Sequence, residues 1–111
     1  MDNLKADELE IVVTKGNPTV IKWLGISQAR NPASVINPFF EELVSKLDGG
    51  PVLVDFTELQ YMNSSTVSPI INLCRMFDQK NVPTTVQYLQ ASDWQSATFK
   101  GLMSLSKVMK N

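Results

Sequence analysis

Val52-Leu53-Val54-Asp55-Phe56-Thr57-Glu58-Leu59-Gln60-Tyr61-Met62-Asn63-Ser64-Ser65-Thr66-Val67-Ser68-Pro69-Ile70-Ile71 sets the architecture of this chain. Val52 to Phe56 is too continuously apolar for a surface strand and belongs at the centre of a sheet covered on both faces or nearly so. A short loop follows, and then apolar residues recur at helical spacing: Val67, Ile70, Ile71, Cys74 and Phe77. Pro69 is tolerated only in a helix's first turn, so it pins the start near Thr66 to Ser68, with the helix running to Gln79. A strand feeding a helix predicts an α/β layer fold, with a hydroxyl cluster at the junction.

The flanks read as support for that unit. Leu9, Ile11 and Val13 alternate with Glu10, Val12 and Thr14, which suits a half-buried strand. Gly16-Asn17-Pro18 supplies a turn, and Thr19 to Leu24 is rich in β-branched and aromatic residues, completing a hairpin. Gly25 to Ala33 is a polar connection. Asn37-Pro38 predicts a helix start, and Phe39, Phe40, Leu43, Val44 and Leu47 form its apolar stripe before Asp48-Gly49-Gly50 ends it. Thr84 to Leu89 reads as a strand parallel to the Val52 strand, because a strand-helix-strand succession needs a crossover. Ser92 with Gln95 forms a capping box that opens a last helix through Phe99 and Leu102, which Gly101 interrupts. The order β-β-α-β-α-β-α predicts a single α/β domain over residues 1–111. Its small mixed sheet has four strands, with five as the alternative, and residues 1–8 and 106–111 are expected as flexible ends.

At 111 residues the chain fits one domain able to bury a core unaided. A net charge of -1 with scattered Lys and Arg offers no field for nucleic acid. The single cysteine, Cys74, excludes an internal disulfide and reads as a small core hydrophobe. No histidine is present, which removes imidazole acid-base chemistry and histidine ligation, and no cofactor or metal site is expected. Neither a signal peptide's apolar region nor a bilayer-spanning run occurs, so a soluble cytoplasmic protein without direct membrane insertion is expected.

Asn63-Ser64-Ser65-Thr66 admits three readings. The residues cap a helix, satisfying orphan N–H groups, although one cap needs one such residue. A catalytic serine would need Asp55, Glu58 or a lysine as its base, and the glycines of a nucleophile elbow are missing, so an enzyme is not expected. In the third reading a serine is phosphorylated, since a phosphate at a helix N-terminus meets free N–H groups and the positive end of the helix dipole.

Val52-Leu53-Val54-Asp55 followed by Leu59-Gln60-Tyr61-Met62-Asn63-Ser64-Ser65 resembles the signature of the STAS domain, the fold of bacterial anti-sigma-factor antagonists; Phe99-Lys100-Gly101-Leu102 is similar to the Gly-Leu of the family's penultimate helix. The resemblance implies a non-enzymatic signalling protein that binds a protein partner, an anti-sigma factor and serine kinase or another regulator. The kinase phosphorylates it and a phosphatase resets it. Ser64 stands at the phosphorylated position, with Ser65 as second choice. A partner surface is expected around Asp55, Thr57, Tyr61, Met62, Asn63, Ser65 and Thr66, with Asn72 and Arg75 contributing. Asn63 replaces the family's usual Asp and Thr66 its Gly, the aspartate common after the second strand is missing from Gly25 to Gln28, and the family's last strand and helix are expected to be shortened or missing. Two alternatives share the resemblance: a regulator of a diguanylate cyclase, and a permanent STAS-like subunit of a transporter-associated complex. Trp23, Tyr61 and Trp94 are expected to be packing residues.

Overall fold

A computed structural model describes residues 3–47, 50–89 and 94–95. Five strands, β1 (Asn3–Ala6), β2 (Leu9–Thr14), β3 (Thr19–Ser27), β4 (Val52–Met62) and β5 (Thr84–Gln87), form one sheet in that spatial order. Two helices, α1 (Ala33–Ser45) and α2 (Val67–Gln79), carry the crossovers β3-α1-β4 and β4-α2-β5, and a single 3-10 turn, Ser64–Thr66, precedes α2. β1-β2-β3 is an antiparallel meander and β3-β4-β5 is parallel, so the sheet is mixed as expected and five strands wide.

One face of the sheet makes the core. Leu9, Ile11 and Val13 of β2, Ile21 and Trp23 of β3, and Val52, Val54 and Phe56 of β4 are buried against Ile36, Phe40, Leu43 and Val44 of α1 and Ile70, Leu73 and Phe77 of α2. Trp23 lies at the centre with no exposed surface, its ring 5.7 Å from that of Phe40 and 5.2 Å from that of Phe56. Truncating either phenylalanine to alanine would cost about 3–5 kcal/mol in lost transfer energy and cavity. The opposite face is half-buried: Val20, Lys22, Leu53 and Asp55 all keep some solvent contact. β4 is therefore covered fully on one face only among the described residues.

Several boundaries differ from the sequence reading. Residues 3–6, expected within a flexible end, pair with β2 in the register Asn3↔Val12 to Ala6↔Leu9. α1 begins at Ala33 rather than Asn37, which leaves Pro38 inside the helix. The earlier start adds Ile36, 1% exposed, to the buried stripe. It is anchored where the amides of Val35 and Ile36 donate to the Pro32 carbonyl at 3.1 and 2.9 Å. Burial of an isoleucine, about 1.5–3 kcal/mol, offsets much of the proline's cost of about 3 kcal/mol. β4 continues to Met62 through residues read as a loop, absorbing a register shift between the pairs Lys22↔Asp55 and Leu24↔Glu58. α2 starts at Val67 with Pro69 in its first turn, as the proline requires. Its buried set is Pro69, Ile70, Leu73 and Phe77; Cys74 is only half-buried, and desolvation raises its thiol pKa.

β5 covers β4 only from Val52 to Asp55. Beyond it, the side chain of Gln95, 1% exposed, takes over: its Nε2 donates to the carbonyls of Phe56 (3.0 Å) and Leu59 (2.9 Å), and its Oε1 accepts the Leu89 amide (2.8 Å). Gln95 thus serves a buried strand edge, where the sequence suggested a capping box. Ser92, Phe99, Gly101, Leu102 and residues 106–111 lie outside the described residues.

Candidate functional site at the β4–α2 junction

The junction is held by three polar residues, two of them inside the hydroxyl cluster. Asn63 is extended (φ -81°, ψ 170°) and caps the turn: its Oδ1 accepts the Thr66 amide at 3.2 Å and the Thr66 hydroxyl at 2.8 Å. Because Thr66 donates to Asn63, the contact of 2.7 Å between the Ser27 and Thr66 hydroxyls has Ser27 as donor. Ser27 is 2% exposed and Thr66 has no exposed surface, so their contact is buried, while Asn63 is half-buried. The Asn63 amide donates to the Ser27 carbonyl (2.9 Å), and Asn63 Nδ2 donates to the Ala29 carbonyl (2.9 Å). The end of β3 is thereby tied to the start of α2.

The Asn63 side chain uses both ends of its amide. A carboxylate could accept from Thr66 but could not donate to Ala29. The amide does both.

With capping assigned to Asn63 and the buried bond to Thr66, Ser64 and Ser65 remain. Both are exposed, and neither side chain makes a hydrogen bond among the described residues. Ser64 opens onto a groove of about 500 Å³ lined by Val67, Ser68, Ile71, Asn72 and Arg75 of α2 and by Asn37 of α1. Ser64, Ser68, Asn72 and Arg75 follow helical spacing and share one face. Asn37 Oδ1 is buried there without a hydrogen-bond partner among the described residues. Sequence reasoning missed Ser27 and the burial of the Asn37 Oδ1, whereas Ser68 lies in the hydroxyl-rich stretch it singled out. No local signal marked Ser27 or the burial at Asn37.

The expected partner surface does not form a single patch. Tyr61, 50% exposed, stands beside the junction rather than packing in the core, and Asn72 and Arg75 reach the groove. Met62 (8% exposed) and Thr66 are buried and present no surface. Asp55 and Thr57 lie back along β4, seven and five residues before Met62, or roughly 23 and 17 Å at strand rise. They satisfy each other, the Asp55 carboxylate accepting the Thr57 amide at 2.8 Å and its hydroxyl at 2.7 Å. Beside them Lys22 forms an ion pair with Glu58, whose hydrogen bond and charge raise the lysine pKa. These groups flank the register shift in β4. Of the expected set, Tyr61, Asn63, Ser64, Ser65, Asn72 and Arg75 remain at the junction.

Among the described residues no cluster of three or more Cys, Asp or Glu is placed to hold a metal ion, and no helix is long and apolar enough to cross a membrane. No family model matches the chain. An alignment 66 residues long, which covers 55% of this chain, is 36% identical to part of the glutamate–tRNA ligase of Ralstonia pickettii (strain 12J). It covers 14% of that protein, so the ligase's activity is not carried to this chain.

Proposed function

We propose that this chain is a non-enzymatic regulatory protein of the STAS type, cytoplasmic, which binds a protein partner at the β4–α2 junction and is switched by phosphorylation of Ser64. A serine kinase would add the phosphate and a phosphatase remove it. The observation that carries the reading is the division of labour in Asn63-Ser64-Ser65-Thr66. Asn63 and Thr66 satisfy the helix start and each other, while Ser64 and Ser65 stay exposed and free of structural bonds among the described residues.

Phosphorylation would add about -1.5 to -2 charges at the mouth of a groove whose one charged lining group among the described residues is Arg75. Arg75 lies eleven residues further along, roughly 16 Å at helical rise, so it would not neutralise a phosphate on Ser64. The added charge therefore faces whatever occupies the groove. A partner carrying acidic residues for Arg75 would be repelled by it.

Ser64→Ala and Ser64→Asp, each expressed with an affinity tag in the native cell, test the reading. Captured partners compared by quantitative mass spectrometry should change in opposite directions. Equal partner recovery from both variants would overturn the switch and favour a permanent subunit.

A further inference from the structure

A second cavity, of about 590 Å³, lies where β3 runs out. Its walls are the β1–β2 turn (residues 6–9), the end of β3 and its exit (26–29), and Pro32, Val35 and Ile36 at the start of α1. Its size falls within the usual range for small-molecule sites, about 300–1,000 Å³. The backbone builds it specifically. Gly25 has φ +86°, and a Cβ there would sit 2.1 Å from the Glu8 carbonyl oxygen, so only glycine lets the two strands close. That closure brings the Ile26 amide to the Glu8 carbonyl at 3.0 Å and folds the turn over the cavity.

The lining combines an apolar body with one sign of charge. Leu9 and Ile36 belong to the core, and Val35 is 42% exposed at the rim. Among the described residues the only charged lining groups are Asp7 and Glu8, and the Gln28 amide steadies Glu8 by donating to its Oε2 at 3.3 Å. We propose that this cavity binds a small cationic amphiphile, its apolar part against Ile26, Val35 and Ile36 and its ammonium or amidinium head at Asp7 and Glu8.

The cavity is wired to the junction. Ser27 and Ala29 form part of its wall, and their polar atoms are the partners of Thr66 and Asn63. A ligand that shifts residues 27–29 shifts the cap that positions Ser64. The binding site itself does not require that Ser64 be modified.

Titration of the full chain with decyltrimethylammonium below its micelle concentration, followed in amide 15N–1H correlation spectra, tests the proposal. Decanoate and tetramethylammonium separate the contributions of head and tail. Saturable shifts are expected at residues 6–9, 26–29, 35 and 36, relayed to Asn63 and Thr66, with decanoate binding on the order of tenfold more weakly. Glu8→Gln, an exposed change that preserves the fold, should weaken binding about threefold. Val35→Trp should fill the site and abolish it. No saturable shift, shifts centred elsewhere, equal affinity for decanoate, or unchanged binding by a folded Val35→Trp would each overturn the assignment.

Discussion

Thr66→Val removes one buried hydroxyl from the chain Ser27–Thr66–Asn63 while keeping the side chain's shape. Two hydrogen bonds disappear, each contributing about 1 kcal/mol, and the Ser27 hydroxyl, 2% exposed, is left without its acceptor at a further cost of about 1 kcal/mol. The sum, about 3 kcal/mol, is a large share of the roughly 5–15 kcal/mol that holds such a domain folded. Ser27→Ala alone should cost only about 1 kcal/mol, because Thr66 still donates to Asn63. The double variant strands no hydroxyl and should cost about 2 kcal/mol, giving a coupling of about 2 kcal/mol. Urea unfolding of all four proteins by far-ultraviolet circular dichroism, with an unchanged denaturant slope, reads this directly. Additive effects, with a coupling below about 0.5 kcal/mol, would refute the network as the element that fixes the junction.

Two further perturbations probe neighbouring bonds. Asn63→Asp keeps the bonds from Thr66 but replaces the donor to Ala29 with a carboxylate facing that carbonyl, and should cost about 1 kcal/mol at this solvent-facing site, measured by the same urea titration. Gln95→Leu leaves the Phe56 and Leu59 carbonyls and the Leu89 amide without their side-chain partner; it should cost about 3 kcal/mol and speed hydrogen exchange at the Leu89 amide.

The strand-helix unit was legible because its signals agree: an apolar run for β4, helical spacing after it, and a proline that fits only the first turn of α2. The continuation of β4 to Met62 was not, since Asp55, Thr57, Glu58 and Gln60 interrupt the apolar run. The residues that make it a strand are distant: β3 supplies the pairing and Gln95 the missing edge bonds. Asn37-Pro38 misled for a related reason. Its local preference for a helix start yields to the burial of Ile36, a tertiary gain that no local pattern encodes. At the junction, four consecutive polar residues marked the place but not the roles. Only the fold separates Asn63 and Thr66, which bond to β3 and its exit, from Ser64 and Ser65, which face solvent.

That separation makes Ser64 the residue on which the account turns. Intact-mass and phosphosite analysis of the protein purified from its native cell, in growing and in stressed states, tests it most directly. The account predicts the mass of one phosphoryl group in at least one state, placed on Ser64. Unmodified hydroxyls from Ser64 to Ser68 in every state would contradict it.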